Sequence, residues 1–310
     1  MPKVSIIIPN YNHSKFLEER IQSCINQTFR DFEIIILDDC STDNSKCVIE
    51  NYREHPKVSG ITYNERNSKS TFSQWKKGIS LAKGKYIWIA ESDDFAEPEF
   101  IELLIKPLDN DETVTVSYCR SFFAGEDGNN LGLCLHADIL NKVKWTKDYI
   151  ESGHKEYKQY LKYRNTIPNA SSVLFRKTVG IDAIIRTDMR FCGDWYFWIQ
   201  MLQGNAKIAY NARPLNHFRM HSNTTRFIGS VSKKETEVAR FREYRQFVPM
   251  LYFNLFDDKY RWMMNEWIDR TNVIFKSTIY QYFPLLHPAL VFRYYMHTVK
   301  HIFKKVLFNA

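Results

Sequence analysis

Short apolar runs alternate with amphipathic stretches through most of the chain, and several runs end abruptly in polar residues. Val4–Pro9 reads as a strand buried on both faces and breaks at Pro9-Asn10-Tyr11-Asn12. Phe16–Gln27 follows as a helix with Phe16, Leu17, Ile21, Cys24 and Ile25 on one side. Phe32–Leu37 is the next strand, ending in Asp38-Asp39-Cys40-Ser41-Thr42-Asp43, and Ser45–His55 is a helix. Ile61–Asn64 reads as a short strand, Gln74–Ala82 as a helix closed by a Lys83-Gly84 C-cap, and Tyr86–Ala90 as a further strand. A helix around Glu99–Lys106 and a strand at Val114–Tyr118 come next. Lys142–Arg164 is polar, aromatic and helical in pattern. Ser171–Phe175 and Ala206–Ala209 read as strands, and a helix starts at Cys192 with Asp194 at or near its N-cap.

Strands alternating with helices imply right-handed βαβ units and a mostly parallel α/β sheet, whose ligands bind outside the carboxyl ends of the strands. From Arg226 onward glycine almost disappears and helical patterning takes over, dividing the chain into a domain over 1–225 and a helical C-terminal region over 226–310. In Ala289–Phe308 the residues Phe292, Tyr295, Met296, Val299, Ile302, Phe303 and Val306 form an apolar stripe, opposite Arg293, His297, Lys300, His301 and Lys304.

Charge sharpens that division. The net charge is +8, yet 226–310 holds 14 Lys or Arg against 7 Asp or Glu, so almost all of the excess sits there. Such asymmetry suits an anionic partner, a membrane surface or a polyanionic substrate. Two uses of the last helix stand open, lying on anionic lipid or packing on its own domain. No signal peptide or long uncharged apolar run is evident, so the expected location is cytoplasmic, with peripheral contact at the inner face of the membrane through that helix. The six cysteines lack CxxC spacing, which argues against zinc and a disulfide framework and for free buried thiols.

The candidate chemistry is acidic. Glu91, Asp93 and Asp94 stand at the end of a buried strand, where carboxylates lose hydration and repel one another. A divalent cation and a ligand phosphate would compensate them, since hard oxygen donors favour magnesium or manganese. Alternatively Asp93 and Asp94 cap the helix that follows. Trp195 and Trp198 either stack on a ligand or fill core, with core favoured for Trp198.

Five motifs in order decide between these readings: Pro9-Asn10-Tyr11-Asn12, Gln27-Thr28 before Phe32, Leu37-Asp38-Asp39-Cys40-Ser41-Thr42-Asp43, Gly84-Lys85-Tyr86 leading to Glu91-Ser92-Asp93-Asp94, and Gly193-Asp194-Trp195. Over Val4 to about Arg226 the chain resembles the family 2 glycosyltransferases of the GT-A fold, of the type that builds bacterial surface polysaccharide. The resemblance implies an inverting hexosyl- or N-acetylhexosaminyltransferase that uses a nucleotide diphosphate sugar, UDP-linked, with Mn2+ or Mg2+, and a saccharide or lipid-linked saccharide acceptor. It places Pro9 and Tyr11 around the base and Asp39 at the base edge. Glu91 would be the first acid of the DxD motif, Asp93 the metal ligand, Asp94 a ribose or supporting acid, and His221 a contact to metal or diphosphate. Arg219 joins the donor-binding set beside His221, and Lys69 offers a cation to the phosphates where relatives often have Asn-x-Gly. Asp194 would be the general base. Glu91 in place of Asp and Cys192 in place of an acid depart from the family pattern.

A sugar nucleotidyltransferase is the nearest alternative enzyme, but Asn10-Tyr11-Asn12-His13-Ser14 lacks the Gly-rich basic loop it would carry. A non-catalytic membrane-docked scaffold is the alternative from another class, and it predicts no metal-dependent nucleotide binding. No nucleic-acid module is recognisable.

Overall fold

In a computed structural model the described residues are 1–221 and the isolated positions 239, 240, 243, 246 and 296. The chain divides into two compact units, Met1–Phe227 and Ile228–Ala310. The first unit is the one described below, and the helical reading of 226–310 falls almost entirely outside the described residues. Among the described residues no helix is long and apolar enough to cross a membrane.

The elements in order are β1 (Val4–Asn10), α1 (Ser14–Ile25), β2 (Phe32–Asp38), α2 (Ser45–Glu50), β3 (Val58–Tyr63), α3 (Thr71–Leu81), β4 (Tyr86–Ile89), β5 (Phe95–Ala96), α4 (Phe100–Asn110), β6 (Val114–Ala124), β7 (Asn130–Leu133), β8 (Tyr149–Ser152), α5 (Gly153–Glu156), β9 (Val173–Arg176), α6 (Gly193–Met201) and β10 (Lys207–Arg219). One sheet runs in the order β3-β2-β1-β4-β9-β6-β10-β5, with β7 added to β6 and β8 to β10. β3, β2, β1 and β4 are parallel, with Ile6 opposite both Ile34 and Trp88. β9 is antiparallel to β4 and β6, β10 runs parallel to β6, and β5 closes the edge antiparallel to β10. The α/β expectation holds, but the sheet is mixed and not mostly parallel: among the described residues four pairings are parallel and five antiparallel, because the strands after β4 return beside it.

Every residue of β1 and β2 is buried, as strands covered on both faces require. Ile6, Ile8, Ile34, Ile36 and Trp88 share a core with Leu17 and Ile21 of α1 and Leu104 of α4, while α3 packs against β1 and β2. Pro9 sits in a central strand without leaving a ladder bond unmade. Ile7 accepts from Ala90 N on the β4 side, so Pro9, two residues on, faces that side just past the end of β4.

Several expected boundaries move for identifiable reasons. α2 stops at Glu50, because the residue before Pro56 resists helix and the chain must turn to reach β3. α3 begins at Thr71, with the Ser70 hydroxyl accepting from Ser73 N as a cap. The expected Gly84 C-cap is absent. α3 is capped by extended Ala82, and Gly84 is needed because a Cβ there would stand 2.5 Å from Ser5 N of β1. β6 and β10 run to eleven and thirteen residues, far beyond their apolar stretches, because polar residues are buried and mutually bonded along them, as when Asn216 Nδ2 donates to Ser121 Oγ at 3.1 Å. Lys142–Arg164 is not one helix: it holds a 3-10 turn, β8, α5 and a π turn at Tyr157–Leu161. The described thiols are free, with Cys24, Cys119, Cys134 and Cys192 buried, Cys40 half-buried and Cys47 exposed.

Candidate functional site

The loops after β1, β2 and β4 meet at one edge of the sheet because those strands are parallel neighbours. Asn12 (φ +56) and Cys40 (φ +62) take left-handed backbone there. Asn12 is held in that conformation by Oδ1, which accepts from Thr42 N at 2.7 Å, and by its own N–H, which donates to Ser41 Oγ at 2.9 Å. Tyr11, 45% exposed, projects from the tip, while Pro9 lies buried beneath it.

Asp39, expected at a base edge, is 5% exposed, and its carboxylate accepts from the Asn64 amide, Ser68 N, Ser68 Oγ and Gln74 Nε2. These donors tie the 64–74 segment to the end of β2. Lys69 on that segment is exposed and keeps a left-handed backbone (φ +57), so the geometry a glycine would provide is retained by a lysine.

The acidic end of β4 is organised by burial. Glu91 Oε1 accepts from Trp75 Nε1 at 2.9 Å, and Arg20 Nε donates to the Glu91 carbonyl. Burial, then the neighbouring Asp93 charge, pushes the Glu91 carboxyl up to about 8. Asp94, 1% exposed, accepts from Arg219 N at 2.9 Å and from Asn169 Nδ2, and burial followed by Asp93 raises it to about 7. Through its bond from Arg219 N, Asp94 fixes the end of β10. Asp93 differs from both. Burial pushes it up, but the hydrogen bond with His221 and the charges of His13 and His221 offset this and hold its carboxyl below the usual range. Neither Asp93 nor Asp94 caps α4, whose N-cap is Glu99.

Asp93 Oδ2 lies 3.0 Å from His221 Nε2, and candidate ligand atoms of His13, Asp93 and His221 all fall within 4.8 Å of one another. His13 Nδ1 is 2.8 Å from Ser92 Oγ, and burial lowers the His13 pKa. A half-buried carboxylate with two imidazoles beside it is a donor set that fits a divalent ion. Arg219, expected in the donor-binding set, is 1% exposed, donating to the carbonyls of Asp93, Gly125 and Glu126, pairing with Glu19 and lying over Phe16 and Phe95.

Asp194 lies in the first turn of α6, one position past Gly193. A Cβ at Gly193 would stand 2.5 Å from the Phe72 ring of α3, so glycine permits the close approach that sets the helix entry. Asp194 is half-buried, accepting from Asn165 Nδ2 at 2.9 Å and from Trp195 N at 2.7 Å. Asn165 and Asn169 therefore grip Asp194 and Asp94 from one short loop, and their Cα atoms can be no more than about 14 Å apart. Adjacent Gln74 and Trp75 of α3 likewise hold Asp39 and Glu91. Trp195, whose indole donates to Leu161 O, and Trp198 are core residues and offer no sugar platform.

With this geometry in hand, comparison with known proteins is decisive for the family. Residues 5–179 match the model of glycosyl transferase family 2, more than half of the chain. The chain belongs to that family. Among relatives of this glycosyltransferase, an uncharacterised glycosyltransferase of Methanocaldococcus jannaschii is 28% identical over 237 residues, 76% of each chain. The chondroitin synthase of Escherichia coli is 33% identical over 151 residues, 48% of this chain and 22% of the synthase, so the transferase spans about a fifth of that relative's length. Solved structures share the GT-A fold. TarS of S. aureus in complex with UDP-GlcNAc superposes with TM-score 0.59 at 18% identity over 90% of this chain and 75% of that one. A Pyrobaculum calidifontis mannosyltransferase with GDP-Man and Mn2+ gives 0.57 at 12% identity, over 97% and 81%.

Sequence reading of the family 2 transferase missed His13, Asn165, Asn169 and Arg20. His13 adjoins the Asn10-Tyr11-Asn12 motif and so carried a positional signal. The two asparagines carried none, because their partners come from 29 and 75 residues away.

Proposed function

We propose that this transferase moves a sugar from a UDP-linked nucleotide sugar to an acceptor hydroxyl with inversion, and that Asp194 is the general base. The observation that carries the reading is one short loop that holds Asp194 at the start of α6 through Asn165 and, through Asn169, Asp94, the neighbour of the Asp93 that meets His221 at the end of β4. Asp93 and His221 would hold the divalent ion, Mn2+ or Mg2+, against the diphosphate. When bound, that ion neutralises charge gathering on the departing diphosphate. Asp194 accepts the acceptor's proton through a carboxylate that Asn165 and Trp195 N orient. A single displacement by a hydroxyl deprotonated on one face inverts the anomeric centre. Pro9, Tyr11 and the 64–74 segment tied down by Asp39 would enclose the base, and Lys69 would reach the phosphates. The UDP-GlcNAc complex of TarS supports a uridine nucleotide, and the manganese complex of the mannosyltransferase supports an ion. The acceptor would be a saccharide or lipid-linked saccharide, with the basic C-terminal region resting on an anionic membrane.

The test is donor hydrolysis and transfer with and without Mn2+. Asp93→Ala should lose metal-dependent UDP binding. Asp194→Asn should bind UDP normally and transfer roughly 10²–10⁴-fold more slowly. Undiminished turnover in Asp194→Asn removes that residue from the base role.

A further inference from the structure

We infer, building on the metal-assisted reading above, that His13 is a third protein ligand of the divalent ion and selects transition metals such as manganese over magnesium. Ligand atoms about 2.1 Å from a shared ion stand roughly 3–4 Å apart. His221 Nε2 and Asp93 Oδ2 already lie 3.0 Å apart, and a ligand atom of His13 completes a triangle whose sides are all within 4.8 Å. Closing it takes a small side-chain adjustment.

The surroundings of His13 are those of a ligating imidazole. Ser92 Oγ engages Nδ1 at 2.8 Å, and with Nδ1 donating to that hydroxyl Nε2 would carry the lone pair, the usual division of labour in a histidine that binds metal. The His13 and His221 rings meet edge to face at 5.4 Å, and Phe16 packs against both. The neighbours of His13 in sequence are tied to the loop after β2: Asn12 Oδ1 accepts from Thr42 N, and Ser14 N donates to Asp43 Oδ2 at 2.8 Å. The imidazole is thus carried on a braced turn, as a preorganised ligand should be.

The consequence is chemical selectivity. Magnesium favours oxygen donors and retains its waters, whereas imidazole nitrogen favours the later divalent metals. Asp93 with one imidazole would tolerate either ion; Asp93 with two discriminates.

Mn2+ binding to the full chain, with and without UDP, is titrated by electron paramagnetic resonance in competition with Mg2+, and imidazole nitrogen couplings are read by electron spin echo modulation. The wild type should prefer Mn2+ and show two coupled imidazoles. His13→Ala and His13→Gln should weaken Mn2+ binding by roughly 10–100-fold, lower the Mn2+/Mg2+ ratio at least as much as the affinity falls for Mn2+ alone, and show one imidazole. His13→Gln keeps a polar group beside Ser92, and a melting curve for each variant verifies folding. If Asp93→Ala abolishes Mn2+ binding while the His13 variants retain wild-type affinity and both couplings, His13 is not a ligand and the ion reading stands. If Asp93→Ala binds Mn2+ as the wild type does, the ion does not sit here and both assignments fail.

Discussion

At the scale of residues, the acids at the end of β4 have separate tasks that their surroundings impose. Burial opposes the charge of Glu91 and Asp94, so that at neutral pH Glu91 is mostly and Asp94 about half protonated, whereas the facing histidines hold Asp93 below the usual carboxylate range. In an unfolded chain all three release protons near pH 4. With folded values near 8 and 7, the folded protein holds more protons than the unfolded one between about pH 4 and pH 8, so stability declines as pH rises through that window. Glu91→Gln mimics the protonated acid and keeps an oxygen for Trp75. In chelator, its melting temperature should exceed the wild type by roughly 3–6 °C at pH 8.5, with the difference shrinking toward pH 5. An equal gain at both pH values would show that Glu91 does not titrate in that window. Lys69→Gly should keep or slightly raise the melting temperature, because relief of a left-handed lysine, about 1–2 kcal/mol, exceeds the added freedom of the unfolded chain. Its KM for the donor should rise if the ammonium meets the phosphates.

At the scale of elements, the position of Asp194, the proposed base, depends on how the N-terminus of α6 is seated on α3. Gly193→Ala puts a methyl against the Phe72 ring, and overpacking of that kind destabilises by about 1–3 kcal/mol. Its kcat should fall with UDP affinity little changed if Asp194 is the base, and Phe72→Leu in the same chain should recover part of the loss. Equal losses in binding and turnover would mean that the contact holds the whole cleft. The apolar strands β1, β2 and β4 were legible because both faces are covered and nothing polar interrupts them. β10 was not, since Asn216, His217 and Arg219 find their polar partners in Ser121, Glu97 and Asp94 of other segments, out of sight of hydropathy. Arg219 shows the limit most plainly: a basic residue beside a histidine reads as a phosphate ligand, and its actual partners are backbone carbonyls from loops far away in sequence.

At the scale of the whole molecule, nucleotide and ion should stabilise the fold by mass action, about 2.7 kcal/mol at a hundredfold excess over Kd. A thermal-shift series with UDP should therefore gain an increment with Mn2+ that Asp93→Ala lacks. The charge asymmetry belongs to this scale as well. The full chain should float with vesicles containing anionic lipid, more weakly as salt rises, and not with neutral ones. The order of motifs exposed the architecture and the acidic edge, because parallel strands bring successive loops to one side. The partner of each acid was hidden, because Trp75, Asn165 and Asn169 are chosen by three-dimensional closure.

The guanidinium of Arg219 staples the carbonyl of Asp93 to those of Gly125 and Glu126 and to the Glu19 side chain of α1. These segments consequently shift as one block, and exchanging the hairpin tip between β6 and β7 for that of another transferase would displace Asp93, the proposed ion ligand, even with every carboxylate left in place.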